Sequence, residues 1–159
     1  MFKLFMKDSD LYAPISGKCL DIAYCQDAAF ASKALGDGFM IIPDEEVVKS
    51  PCDGKLTAVF PTKHAVGITM ADGKEILLHI GIDTVKFDGK YFEAFVTKGD
   101  RVKKGDPLIR FNQKLLEKFG ADMSTIVILL NGDGCKYEKY HMNDRILSGE
   151  KIIKFESGD

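Results

Sequence analysis

One stretch limits what this chain can fold into. His64 to Met70 and Lys74 to Ile80 are apolar runs, and Asp72-Gly73 between them is the strongest short hairpin signal. With Asp72 and Gly73 as the two loop residues, Ala71 pairs with Lys74 and paired numbers sum to 145. His64 then falls opposite Gly81, and His79 opposite Val66. Strand side chains alternate faces, so both histidines leave the same face as diagonal neighbours, roughly 7–8 Å apart at the backbone. A register slip of one residue would send them to opposite faces. The chain has only three histidines, and this hairpin brings two of them together.

The rest of the chain has the same short rhythm. Strands are expected at 18–24, 38–42, 46–49, 55–60, 64–70, 75–80, 91–94, 108–111, 125–130, 135–139 and 151–155, separated by Gly, Asp and Pro. Such strands imply an all-β, antiparallel sandwich or barrel-like fold. Two stretches break the pattern. Asp27 to Gly36 has an acidic start, clustered Ala and a Gly stop, and Asn112 to Gly120 has an N-cap residue, Leu115, Leu116 and Phe119, and a Gly stop. These are the one or two short helices expected. Ala13-Pro-Ile-Ser-Gly-Lys recurs as Ser50-Pro-Cys-Asp-Gly-Lys, 37 residues later, which points to two similar halves. Lys98-Gly-Asp likewise recurs as Lys104-Gly-Asp, framing a tight turn–strand–turn. No linker divides the 159 residues, so residues 11–159 are expected to form a single domain behind a short flexible arm at 1–10.

Several function classes are disfavoured. The formal net charge is −2 and there is no Lys/Arg run, which argues against nucleic acid. No apolar stretch approaches the length of a membrane span and the N-terminus lacks a signal-peptide pattern, so the chain is expected to be cytoplasmic, with no stable membrane insertion. Its initiating Met1 favours a free-standing chain. Cys19, Cys25, Cys52 and Cys135 lack metal-binding spacing and read as reduced thiols, mostly buried. Gly36-Asp-Gly38 and Gly132-Asp-Gly134 lack the rest of a dinucleotide fingerprint and read as turns; no Walker loop or G-x-S-x-G is present.

The histidine pair carries the chemistry, and three uses fit it. Imidazoles are zinc ligands, and Asp83 follows His79 at H-x-x-x-D spacing, but no sure third ligand accompanies them. Near-neutral pKa values suit acid–base catalysis. A neutral ring nitrogen can also carry a phosphoryl group, provided its other nitrogen is held by an acceptor such as a backbone carbonyl. The residues alone do not rank the three.

Leu78-His-Ile-Gly-Ile-Asp-Thr-Val85 resembles the active-site signature of the glucose-class enzyme IIA proteins of the bacterial sugar phosphotransferase system. Ala13–Lys18, Gly36–Gly38, Ser50–Lys55, Thr62–Ala65 and Gly99–Asp106 match as well, and the resemblance spans about 13–155. It implies a β-sandwich of two similar halves (a duplicated hybrid motif) and a phosphocarrier with no cofactor. His79 would accept a phosphoryl group from phosphorylated HPr and pass it to a cysteine of a IIB domain. His64 would steady that group, and Thr62 would hydrogen-bond His64. Phe30, Phe60, Leu77 and Val85 match an apolar docking patch, with Asp27 and Asp83 facing basic residues of a partner. The arm is shorter than the membrane-seeking tail of some members. The alternative is a regulatory module acting on transporters or kinases, followed by a zinc-dependent peptidase.

Overall fold

The computed structural model describes residues 9–156, so residues 1–8 of the expected arm lie outside it. Its strands are β1 (Leu11–Tyr12), β2 (Gly17–Asp21), β3 (Asp37–Pro43), β4 (Val47–Lys49), β5 (Gly54–Val59), β6 (Ala65–Thr69) and β7 (Glu75–Ile80). They continue as β8 (Phe92–Ala94), β9 (Arg101–Val102), β10 (Pro107–Phe111), β11 (Thr125–Leu129), β12 (Tyr137–Lys139), β13 (Arg145–Ile146) and β14 (Lys151–Phe155). Two short helices, α1 (Ala28–Ala31) and α2 (Gln113–Lys118), fall in the two stretches that break the β rhythm. Their N-caps are Asp27, whose carboxylate accepts from the Ala29 amide, and Asn112, whose side chain accepts from Leu115.

All ladders are antiparallel. An eight-stranded sheet runs β13-β2-β3-β11-β7-β6-β5-β9, flanked by β1-β14-β12 and β4-β10-β8. No ladder joins β13 to β9 among the described residues, so the large sheet does not close into a barrel. The main core draws on all three sheets: Ile41, Leu56, Leu78 and Val127 from the large one, Leu11 and Ile153 from one small sheet, Val48 and Ile109 from the other. A second cluster covers the opposite face of the large sheet, where Met40, Ile126 and Ile128 pack under Ile22, Cys25 and Phe30. Strand β11 is therefore buried on both faces, which explains its unbroken apolar run Thr-Ile-Val-Ile-Leu.

The repeated Pro-x-x-Gly-Lys marks a true internal duplication. Tyr12 N–H donates to the Pro51 carbonyl and Lys49 N–H to the Pro14 carbonyl, both at 2.8 Å; the 37-residue offset turns one bond into the other. Cys19 N–H to Asp144 O likewise corresponds to Leu56 N–H to Asp100 O, and the β1–β14 ladder to β4–β10, with Cys19 and Leu56 again 37 residues apart but Asp144 and Asp100 separated by 44. Strand order in the large sheet reads alike from both ends under this exchange. The Lys-Gly-Asp echo forms two turns closed by their aspartates, with Asp100 accepting from Thr97 N–H and Asp106 from Lys103 N–H, each at 2.9 Å.

Three expectations change. Strand β2 stops at Asp21, whose side chain caps a 3₁₀ turn over Ile22–Tyr24. Gly36-Asp37-Gly38 opens β3 instead of forming a free turn, because Asp37 anchors an ion cluster with Lys139. The central hairpin has three loop residues, not two: Gly73 N–H donates to the Met70 carbonyl and Met70 N–H to the Lys74 carbonyl. Gly73, at φ 93°, is the left-handed residue of a turn followed by a bulge. Asp72 favours this form by accepting from the Lys74 amide at 3.2 Å. His79 therefore pairs with Ala65, one residue away from the expected register.

Candidate functional site

The observed register sends β7 residues Ile76, Leu78 and Ile80 into the main core and leaves Leu77 and His79 on the second face. Strict alternation would then place His64 on the face opposite His79. The rings nevertheless meet, with centroids 5.1 Å apart and an 81° interplanar angle. His64 lies just before the first ladder residue of β6, after Lys63 in the left-handed region at φ 58°. Its direction is set by the turn over 60–64, in which Lys63 N–H donates to the Phe60 carbonyl and Phe60 N–H to Ala65. The Ile80 amide still donates to the His64 carbonyl at 2.7 Å, tying the turn to β7.

The two rings are held differently. His79 Nδ1 lies 2.8 Å from the Gly81 carbonyl oxygen. A carbonyl can only accept, so Nδ1 carries the proton and Nε2 of the neutral ring keeps its lone pair. His64 Nδ1 lies 2.6 Å from Thr62 Oγ1. When the hydroxyl donates, His64 Nε2 carries a proton that it can offer to an oxyanion. Burial pushes the His64 pKa below its ordinary value. Burial also lowers that of His79, with help from the neighbouring His64; the Gly81 carbonyl and the Asp27 and Asp83 charges pull it only part of the way back. Both rings are neutral at pH 7.

Aromatic rings wall the pair in. Phe30 tilts against His79 at 4.9 Å, and Phe60 meets His64 edge-on at 5.4 Å. Of the expected docking patch, Val85 is 53 % exposed and Phe60 39 %, whereas Leu77 is half-buried and Phe30 only 7 % exposed. Phe30 therefore packs His79 and the second core more than it presents surface. Asp83 is exposed, in a left-handed conformation with no side-chain cap bond, while Asp27 is half-buried as the cap of α1. Among the described residues no group of three or more His, Cys, Asp or Glu is arranged to hold a metal ion. Likewise no described helix is long and apolar enough to cross a membrane.

Sequence reasoning asked for an acceptor on one ring nitrogen without finding it. The acceptor is Gly81, two residues beyond His79, and its φ of +81° is the signal that a glycine in H-I-G could have given.

The model of the phosphoenolpyruvate-dependent sugar phosphotransferase system EIIA 1 family matches residues 9–135. The chain belongs to that family. This EIIA is 43% identical over 149 residues to the PTS system glucose-specific EIIA component of Staphylococcus epidermidis, covering 92% of this chain and 89% of that protein. It is 40% identical over 152 residues to the component of that name from Staphylococcus aureus, covering 95% and 92%. Among solved structures, the glucose permease IIA from Mycoplasma capricolum superposes with a TM-score of 0.83 at 38% identity, over 94% of this chain and 96% of that one. The EIIA membership that the motifs implied thus stands on sequence and fold together, and makes the chain a component of a sugar phosphotransferase system.

Proposed function

We propose that this EIIA is a cytoplasmic phosphocarrier that takes a phosphoryl group from phosphorylated HPr onto His79 Nε2 and passes it to a cysteine of a IIB domain. The observation that carries the reading is the pinned His79 tautomer, with His64 beside it. In the loading step the Nε2 lone pair forms a bond to phosphorus while the donor's P–N bond breaks, its electron pair returning to the donor nitrogen. Nδ1–H stays on the Gly81 carbonyl and spreads the positive charge of the ring. His64 Nε2–H donates to a phosphoryl oxygen, and Thr62 holds His64 in that tautomer. In the second step a thiolate attacks the same phosphorus and His79 leaves as neutral imidazole. Phe60, Val85 and Leu77 give both partners an apolar landing surface, while Asp27 and Asp83 supply negative charge toward basic residues. The likeness to glucose-specific relatives makes glucose the sugar to test first.

Incubation with HPr, its upstream kinase and phosphoenolpyruvate should give an acid-labile, base-stable phosphate on His79. Absence of label on His79 overturns the assignment. His64→Ala should still load slowly and transfer onward poorly; normal kinetics in both steps would remove His64 from the mechanism.

A further inference from the structure

The carbonyl that fixes His79 must itself be fixed, and the hydrogen bonds around it show how. Gly81 N–H donates to the Ser124 carbonyl at 3.0 Å, and Ile82 N–H to the Asp122 carbonyl at 2.8 Å. The second bond grips the peptide unit that presents the Gly81 oxygen to His79. Beneath that peptide lies Thr84, with no exposed surface. Its hydroxyl donates to the Ile80 carbonyl, four residues back, which closes the turn. Its methyl fills the place a side chain at Gly81 would take: a Cβ there would lie 2.4 Å from Thr84 Cγ2. Asp83, between them, adopts a left-handed φ of 56°. Such a conformation holds only where neighbours fix it, and the Asp83 side chain makes no cap hydrogen bond of its own.

We propose that Thr84 is a positioning residue for the chemistry at His79: through the hydroxyl bond that closes the Ile80–Thr84 turn, it aims the Gly81 carbonyl that keeps the ring proton on Nδ1 and leaves Nε2 free. The consequence for phosphoryl transfer rests on the function proposed above; the consequence for the tautomer does not. Without the hydroxyl the turn loses its closing bond, the Gly81 oxygen moves off the axis of Nδ1–H, and the other neutral tautomer, with its proton on Nε2, gains population. That form has no lone pair at the reacting nitrogen.

Long-range ¹H–¹⁵N correlation spectra of the full chain with ¹⁵N-histidine read the His79 tautomer directly. The wild type should show Nδ1–H dominant. Thr84→Val, which keeps the shape and deletes the donor, should bring the Nε2–H form up to a comparable population and, by halving the competent fraction, slow loading by about twofold. Thr84→Ser should restore both. A folded Thr84→Val with an unchanged His79 tautomer overturns the proposal, as does a Thr84→Ser that behaves like Thr84→Val. If Thr84→Val does not fold, Thr84→Cys, which keeps the volume and weakens the donor, takes its place with the same two outcomes. A wild type that never labels on His79 would defeat the phosphocarrier reading, while the spectra would still decide the role of Thr84.

Discussion

Replacing Asp37 with Asn should cost stability in a pH-dependent way whose size follows from its surroundings. Burial pushes the Asp37 carboxyl pKa up, but bonds from Lys139 Nζ at 2.6 Å, the Tyr137 hydroxyl and the Gly38 amide at 2.8 Å outweigh it and hold the value at about 2, against an ordinary 3.8. At about 1.4 kcal/mol per tenfold in proton affinity, the ionised form is worth about 2 kcal/mol to the folded state. The folded pKa lies below the unfolded one, so this contribution is full above 3.8 and drains away as the pH falls through about 2. Urea unfolding followed by circular dichroism should show Asp37→Asn less stable than the wild type by about 2 kcal/mol at pH 7 and about 1 kcal/mol near pH 3. A gap that is the same at both pH values, or no gap at pH 7, would refute the assignment of this energy to the charge cluster.

Three other outcomes follow from the site and the core. Both site histidines have lowered pKa values, chiefly through burial, and the proposed nucleophile is the neutral ring. The initial rate of His79 labelling should therefore stay level from pH 8 down past 6.5 and fall only below it; a midpoint at or above 6.5 would contradict this. Gly81→Ala must accept φ +81° and a Cβ 2.4 Å from Thr84 Cγ2, so thermal unfolding should show a loss of about 2–4 kcal/mol, and an unchanged melting temperature would count against the packing described. Burial raises the Cys19 thiol to about 12, while Cys135 is only half-buried; mass-mapped thiol labelling of the native protein should find Cys135 first, and rapid labelling of Cys19 would be inconsistent with the fold.

What the sequence made legible was whatever depends on local pattern. Glu75–Ile80 and Lys151–Phe155 form strands with the expected ends, α1 follows the expected acidic start at Asp27 and α2 its expected N-cap Asn112, because alternation and capping act over a few residues. The strand expected between the two Lys-Gly-Asp turns is β9. Strands β1 and β13 have no such signal, since a two-residue strand has no periodicity to detect and exists only because a partner strand lies beside it. The hairpin register was misread because Asp72-Gly73 suits two kinds of turn. The contact that decides here includes Asn131, which accepts from Glu75 N–H at 2.8 Å and donates to the Gly73 carbonyl at 3.0 Å from 56 and 58 residues away. The histidines were rightly brought together by a wrong route: the expected alternation fails at His64, and the turn at Lys63 replaces it. Gly81 and Thr84 leave no such signal, because their contacts at the site are made by a backbone carbonyl and a buried hydroxyl, which composition does not advertise.

The duplication shows how a single site arises on a frame built twice. Ladder partners Cys19–Ile41 and Leu56–Ile68 correspond, as do Thr125–Ile41 and Ile76–Ile68. The same offsets carry His64 onto Asp37 and His79 onto Ile128. One half thus places two imidazoles where the other places an aspartate and an apolar side chain, and that aspartate is held by Lys139 and Tyr137. The turns that follow also correspond and also diverge. Gly81 N–H to Ser124 O matches Leu130 N–H to Glu75 O, so both strands leave the sheet through an equivalent bond. At the next residue, the Ile82 backbone amide binds the Asp122 carbonyl, whereas in the other half a side chain, the Asn131 amide, binds the Gly73 carbonyl. A backbone donor at Ile82 fixes the peptide that bears the Gly81 oxygen; a side-chain donor at Asn131 fixes no such peptide. Ile128, at the place of His79, has no ring nitrogen to receive one. The fold supplies two similar hairpins, and the chemistry proposed here falls to the one whose turn directs a carbonyl back onto its own strand.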